Sequence, residues 1–185
     1  MRKIVIIGPA GSGKSTLAEK LAHKIGGAYV DLDQFHHLPG WKERGTEDFC
    51  RLVDAATRGD TWAVAGNYTT RAQPIIRPRA DTLIWLDMPF WANLWQLFRR
   101  TLKRVRTGES ICNGNRETIA KSFFSKDSIL WWFLTTWAKN RKNNRDLFAR
   151  PQDYPHLQMI RLRSYAESAQ LLESVNGGAA ENACC

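Results

Sequence analysis

The chain has 185 residues, 43% of them hydrophobic, which suits one domain with a buried core. No apolar run approaches the ~20 residues of a membrane helix, and the four cysteines form no CxxC pair, which argues against a zinc site or a disulfide framework. The net charge is +9, and residues 99–163 carry 15 basic but only 5 acidic residues. Such a segment is typical of surfaces that meet nucleic acid or nucleotide phosphates. We expect a cytoplasmic protein without a membrane partner.

Short apolar runs alternate with helical stretches along the chain. Because strands that alternate with helices form a parallel sheet covered on both faces, we expect a three-layer α/β fold. Helices are predicted from near Gly13 to about Ile25, from Thr46 onward, and from Pro89 to about Arg106. The predicted strands are Lys3–Ile7, Ala28–Leu32, Thr61–Ala65, Thr82–Leu86 and Gln158–Leu162.

The second half departs from this alternation. Gly108–Glu117 is predicted to be a loop, and Ser128–Arg145 a Trp-rich helix with basic later turns. The favoured interpretation of that helix is an amphipathic segment that covers the core or a lid. The alternative is a helix that lies on a membrane surface with basic flanks. Residues 1–176 are expected to form one domain, followed by a disordered tail, 177–185. The four residues Ile129, Trp132, Phe133 and Trp137 are predicted to share one face of the Trp-rich helix.

A glycine-rich segment directly after the first strand fits the phosphate-loop pattern GxxxxGK[ST]. Glycines let backbone N–H groups surround an anion, and the start of the next helix adds partial positive charge. Lys14 can reach the outer phosphates of a nucleoside triphosphate, while the Ser15 hydroxyl can hold Mg²⁺. The predicted cofactor-binding residues of the loop are Gly8, Pro9, Ala10, Gly11, Ser12, Gly13, Lys14, Ser15 and Thr16.

Three carboxylates follow strands of the predicted sheet. Asp31 and Asp33 come at the end of the second strand, two residues apart and so on one face. Ligands of open parallel sheets bind beyond the carboxyl ends of the strands, so both should face the phosphate loop. We assign Asp31 to the metal and Asp33 to the acceptor's proton, although either could cap the next turn. Asp87 ends "TLIWLD" and is either a Walker B metal ligand or a helix cap.

The chain resembles P-loop kinases related to adenylate kinase, in particular those known as FlaR-like topology modulation proteins. The similar segments are "GPAGSGKST", "DLDQFHHLPGW", "AGNY", "RADTLIWLDMP", "RRTLKR", "NGNRE", "SKDSILWWF" and "IRLRS". Together they span residues 4 to 165. The wider group includes nucleoside monophosphate kinases and shikimate kinase, and shikimate-type kinases carry an Asp-x-Asp where Asp31 and Asp33 stand.

The resemblance implies a five-stranded sheet in the order 2-3-1-4-5 and a mobile lid after the fourth strand. The lid and the Trp-rich insertion would span about residues 104–150. Basic residues of the lid would close on ATP, which makes Arg100 and Arg104 the candidate catalytic arginines beside Lys14 and Asp33. The family pattern also sets one arginine against adenine, and Arg163 in "IRLRS" is assigned to ATP binding.

Two loops after the second and third strands are candidates for holding the acceptor. Trp41 and Tyr68 could stack on a base, Asn67 could hydrogen-bond, and Arg71 could hold an anion. A packing role for Trp41 stays open. These residues, with Asp33, form the predicted substrate site.

These patterns favour an ATP- and Mg²⁺-dependent phosphotransferase that moves the γ-phosphoryl group to a nucleotide or another small hydroxyl or phosphate acceptor. The alternative is a nucleic-acid-associated P-loop ATPase that acts on DNA topology through the basic segment. Because no helix-turn-helix or zinc-finger pattern is present, only weak nucleic-acid binding is expected.

Overall fold

A five-stranded parallel sheet forms the core of the fold. It is seen in a computed structural model that describes residues 1–116 and 128–175. The longer strands adjoin in the order β2-β3-β1-β4-β7, and β5 pairs antiparallel with β6 in a separate hairpin. In chain order the strands are β1 (Lys3–Ile7), β2 (Ala28–Asp31), β3 (Trp62–Ala65), β4 (Thr82–Leu86), β5 (Ser110–Ile111), β6 (Asn115–Arg116) and β7 (Gln158–Leu162).

The strand numbering differs from the expected 2-3-1-4-5 because of the hairpin. The sequence predicts a loop over Gly108–Glu117, but β5 and β6 lie within it. The predicted last strand, Gln158–Leu162, does form the sheet's edge beside β4, but it is the seventh strand among the residues that the structure describes.

Helices cover the sheet between the strands. The predicted lid begins at about residue 104, but there α5 continues as one helix, and residues 117–127 of the lid lie outside the described residues. The predicted tail, 177–185, also lies outside them. The helices are α1 (Lys14–Lys24), α2 (Leu32–His36), α3 (Thr46–Ala56), α4 (Gln73–Ile76), α5 (Phe90–Thr107), α6 (Ile129–Phe148) and α7 (Tyr165–Ser174).

The two faces of the sheet bury separate apolar clusters. Alternate residues of β1 divide between them: Val5 packs on the side of α3, and Ile6 packs on the side of α1 with Leu21. Both faces are covered, so β3 and β4 are buried along their whole length, as parallel strands usually are. Full burial of each large aliphatic side chain stabilises the fold by roughly 1.5–3 kcal/mol. This rigid core holds the carboxyl ends of β1 to β4 along one edge.

The Trp-rich helix buries part of the face that the sequence predicts, with Trp132 as the exception. In α6, Phe133 is buried and stacks on Phe90 of α5, with ring centroids 5.5 Å apart. Trp137 also contacts Phe90, but Trp132 is 43% exposed. One residue is a rotation of about 100°, so Trp132 points away from the narrow strip that α5 covers. Among the described helices, none is both long enough and apolar enough to cross a bilayer.

Candidate functional site

The phosphate loop joins β1 to α1 and has a backbone that requires glycine at two positions. Gly8 has φ 152°, and a Cβ there would lie 2.8 Å from the carbonyl oxygen of Leu86. Gly11 has φ 77°, and a Cβ would lie 2.8 Å from the carbonyl oxygen of Asn93 at the start of α5. Any side chain at either position would force the backbone apart. The loop is therefore packed tightly between β4 and α5.

The Asn67 side chain hydrogen-bonds both backbone polar groups of Gly8 in the phosphate loop. The Gly8 amide donates to Asn67 Oδ1 over 3.0 Å, and Asn67 Nδ2 donates to the Gly8 carbonyl over 2.9 Å. The side-chain amide of Asn67 is thus engaged by the loop, which differs from its predicted role as a substrate contact. Ser12 is buried in the same loop, and its Oγ has no hydrogen-bond partner among the described residues. A buried polar atom without a partner is costly, so the loop is suited to a polar ligand.

Lys14, the first residue of α1, lies among charges of both signs. Its Nζ donates to the Pro9 carbonyl over 2.8 Å. Burial lowers the pKa of Lys14 to about 8, with the positive charge of Arg100 acting in the same direction. The carboxylates of Asp33 and Asp31 act in the opposite direction. Four of the predicted catalytic and metal-binding residues therefore interact in one place.

Asp31 is held by groups on either side of it. Its Oδ1 accepts from the backbone amide of Asp33 over 3.0 Å and so caps α2, while its Oδ2 accepts from the Tyr29 hydroxyl over 3.1 Å. The Tyr29 hydroxyl also interacts with the Ser15 side chain, which partly offsets the effect of burial on the pKa of Tyr29. Burial, followed by the nearby charge of Asp33, raises the pKa of Asp31. Tyr29 thus links two residues predicted to bind the metal, Ser15 and Asp31.

Asp33 also has a tyrosine partner. The Tyr68 hydroxyl donates to Asp33 Oδ1 over 2.7 Å. Burial raises the pKa of Tyr68, and the charge of Asp33 raises it further, so the phenol stays protonated as a donor. Sequence reasoning missed Tyr29, although its place two residues before Asp31 on one strand face could have revealed it. It did find Tyr68, but as a stacking residue.

Arg71 and Trp41, both predicted to bind the acceptor, make contacts with other residues of the chain. Arg71 Nη1 lies 3.1 Å from His36 Nδ1, its Nη2 donates to the Arg44 carbonyl over 2.8 Å, and its guanidinium lies over the Phe49 ring. These contacts join α2 to α3 and differ from the predicted anion contact. The Trp41 backbone amide donates to Asn115 Oδ1 over 3.0 Å, and the Trp41 ring lies 5.4 Å from the His37 ring, a contact compatible with the packing alternative.

The β5–β6 hairpin lies across the segment that follows β2. Asn113 Nδ2 donates to the carbonyls of Gln34 and His37, and the buried Asn115 donates to the Leu38 carbonyl over 3.0 Å. An open cleft of about 350 Å³ remains between the hairpin and Asp31, and Arg104 of α5 lines it. The remaining lining residues are Gln34, Ser110, Ile111, Cys112, Asn113 and Gly114. Arg104, a predicted lid arginine, therefore lines the same cleft as Asp31.

Asp87, predicted as a metal ligand, is instead paired with two arginines. Arg141 Nε donates to its Oδ1 over 2.7 Å, and Arg161 Nε donates to its Oδ2 over 3.0 Å. Burial opposes the charged form, but the hydrogen bonds from both guanidiniums outweigh it and lower the pKa of Asp87. Both oxygens face positive charge, so a metal cation is not expected there. Arg163, assigned to ATP, follows β7 with an exposed side chain, and its backbone amide donates to Glu167.

Comparisons with known proteins give limited support to these assignments. The chain matches no protein-family model. Over 62 residues it is 42% identical to a cytidylate kinase of Caldanaerobacter subterraneus subsp. tengcongensis. That stretch covers 31% of this chain and 28% of the kinase, so the chain spans well under a third of the relative it matches.

Proposed function

We propose that this chain is an ATP-dependent phosphotransferase that moves the γ-phosphoryl group to a nucleotide or another small hydroxyl or phosphate acceptor. The observation that carries the proposal is a complete phosphate loop whose Lys14 senses the charges of Asp33, Arg100 and Asp31. Phosphoryl transfer needs an anion cradle, a positively charged group and an acidic residue close together. The partial similarity to a cytidylate kinase supports a nucleotide-kinase-like chemistry.

The donor set fits a hard divalent cation. Ser15 and Asp31 supply oxygen ligands, the kind that Mg²⁺ prefers, and Tyr29 brings the two together. The pKa of Asp31 is raised by burial and by Asp33, so a cation beside this pair would relieve their repulsion. When bound, Mg²⁺ would neutralise charge on the phosphate oxygens.

The chain's own residues account for the remaining requirements. Backbone amides of the loop and of the start of α1 hold the phosphates. Lys14 stabilises the negative charge that develops on the transferred phosphoryl group. Asp33, held by Tyr68, accepts the proton of an acceptor hydroxyl. Arg100 and Arg104 extend from α5 toward the same side and offset the negative charge of the transition state.

Replacement of Lys14 by alanine tests the proposal. We expect Lys14→Ala to leave the fold intact and to abolish productive use of Mg·ATP, because the cation of the loop is lost. Lys20→Ala, an exposed lysine on the same helix, is the matched control. ATP consumption is measured over a panel of nucleosides, nucleotides and small hydroxyl compounds, and binding of Mg·ATP is measured separately. Equal binding and turnover in Lys14→Ala and the parent would contradict the proposal.

Duplex DNA is titrated in parallel to test the alternative function. We expect weak binding without sequence preference, in the range of ~10⁻⁴–10⁻⁶ M at physiological salt. Nanomolar, sequence-dependent binding with DNA-stimulated ATP consumption, and no phosphorylated small molecule, would favour the nucleic-acid-associated ATPase.

A further inference from the structure

Helix α5 presents a line of large apolar side chains to solvent. Its inner side packs on the phosphate loop through Leu97. On the outer side, Trp91 is 74% exposed and Trp95 is 61% exposed, whereas tryptophan is usually largely buried. The spacing of four, three and four residues places the members on one face. We call this line the aromatic stripe; its members are the exposed Trp91, Trp95 and Phe98, followed by the partly buried Leu102.

A row of positive charges runs beside the aromatic stripe. Arg99, Lys103 and Arg106 are spaced four and three residues apart, so they occupy the neighbouring face of α5, and all three are exposed. We refer to them as the basic flank. Helix α5 carries five basic residues and no acidic residue. An apolar stripe with cations along one side is the pattern of helices that lie in a membrane interface.

The neighbouring helix adds exposed apolar groups close to the start of α5. In α6, Trp131 is 52% exposed, and Trp132 and Leu134 are also exposed. All three lie within two residues of Phe133, whose ring stacks on Phe90, the first residue of α5. One side of α6 therefore packs on α5 through Phe133, while these exposed apolar groups lie close to the start of the aromatic stripe.

We propose that the aromatic stripe and the basic flank bind the surface of an anionic lipid bilayer, with α5 lying along the interface. Indole and phenyl rings enter the boundary between headgroups and acyl chains, and the basic flank meets anionic headgroups. A second copy of the chain fits less well, because it would bring another helix of purely basic charge against the first. Single-stranded nucleic acid is usually held in a charged groove. The stripe lies on a convex helix face and includes Leu102, which has no ring for a base to stack on.

The proposal predicts a defined lipid dependence for the full chain. We expect it to float with phosphatidylcholine vesicles that contain phosphatidylglycerol, and to bind pure phosphatidylcholine vesicles far less. High salt should weaken binding because it screens the basic flank. The double variant Trp91→Ala/Trp95→Ala should partition at least about tenfold more weakly. Arg99→Ala/Lys103→Ala should bind the anionic vesicles about 20-fold more weakly.

Matched variants separate this surface from general effects of charge or aromaticity. Tyr165→Ala removes an exposed aromatic side chain from α7, and Lys20→Ala/Arg51→Ala removes two exposed cations from α1 and α3. Both should bind vesicles like the parent. Every variant of the aromatic stripe and the basic flank should bind Mg·ATP like the parent. A negative result for vesicle binding can therefore be distinguished from a negative result for the proposed phosphotransferase activity.

Three outcomes would overturn the lipid proposal. The first is no binding to anionic vesicles. The second is vesicle binding that Trp91→Ala/Trp95→Ala leaves unchanged. The third is a stripe-dependent dimer in light scattering, or stripe-dependent binding of labelled single-stranded DNA, without vesicle binding.

Discussion

The Tyr68 hydroxyl donates to Asp33 over 2.7 Å, which ties the loop after β3 to the carboxylate assigned to the acceptor. This bond leaves Asp33 Oδ2 to receive a proton while Oδ1 is held. Burial raises the pKa of Tyr68, so the donor keeps its proton at any physiological pH. The pair therefore fixes the orientation of the carboxylate without competing for the proton.

Loss of this hydroxyl should affect turnover more than binding. We expect Tyr68→Phe to lower the turnover number about tenfold, since a hydrogen bond to a charged group contributes roughly 1.5–3 kcal/mol. The affinity for Mg·ATP should change little. Steady-state kinetics over ATP concentration measure both quantities. Tyr165→Phe is the matched control, because that exposed tyrosine lies outside the site. A change of equal size in Tyr165→Phe, or a loss of ATP affinity only, would rule out the positioning role.

Loss of the Asp33 carboxylate and loss of the Asp31 carboxylate should have different kinetic effects. We expect Asp33→Asn to lower turnover by at least ~100-fold, as for loss of a general base, with ATP affinity nearly unchanged. Asp31→Asn should instead raise the Mg²⁺ concentration needed for half-maximal rate, because Asp31 bonds Tyr29, which also interacts with the proposed metal ligand Ser15. Turnover is followed against Mg²⁺ at saturating ATP. Small, equal effects of both changes would contradict this division of roles.

The strands and the phosphate loop were predictable because their signals are local. The predicted bounds of β1, β4 and β7 agree with the structure, since each strand is a short apolar run with turn residues on both sides. The loop pattern places a lysine at the start of a helix, and Lys14 is the first residue of α1. Local patterns also predicted the two carboxylates at the end of the second strand. Asp31 is the last residue of β2, but Asp33 lies in α2, because the strand ends one residue before the predicted Leu32.

The partners of the site residues were not predictable, because they are distant in sequence. Asn67 lies 59 residues from Gly8, and Arg161 lies 74 residues from Asp87. Hairpin residue Asn113 bonds backbone groups more than 70 residues away. Periodicity places a residue on a strand or a helix, but it does not reveal which distant polar group will satisfy it. The contacts of Asn67 and Asp87 could not be predicted for this reason, and the substrate and metal roles predicted for them stay predictions.

The clamp of Asn67 on Gly8 should matter for the loop rather than for the acceptor. We expect Asn67→Ala to weaken Mg·ATP binding and to lower the free energy of unfolding by about 1–3 kcal/mol, because both backbone groups of Gly8 lose a partner. Isothermal titration and denaturant unfolding measure the two effects. Thr70→Ala, an exposed change in the same loop, is the control. If the variant lost only acceptor affinity, the originally predicted substrate role of Asn67 would be restored.

Asp87 provides the pH dependence of stability. Its carboxylate is buried, and Arg141 and Arg161 hold its pKa below the ordinary 3.8. A carboxylate whose folded-state pKa is lowered contributes stability above its unfolded pKa and loses it as the pH falls through the folded-state value. We therefore expect Asp87→Asn to destabilise the protein by about 2–3 kcal/mol at pH 7, less than a fully buried pair because both arginines are partly exposed. The difference between parent and variant should shrink below about pH 4.

Denaturant unfolding from pH 3 to 8 measures this difference, beside a matched control in a solvent-exposed ion pair. Asp48 pairs with Arg51, and their side chains are 60% and 73% exposed, so Asp48→Asn should cost about 0–1 kcal/mol. Its effect should also vanish at high salt, whereas the Asp87 effect should persist because the carboxylate is shielded from solvent. A stability of Asp87→Asn equal to that of the parent at neutral pH, with a weaker dependence of activity on Mg²⁺, would return Asp87 to the metal site. Loss of stability with unchanged Mg²⁺ dependence would establish it as the residue that joins α6 and β7 to the end of β4.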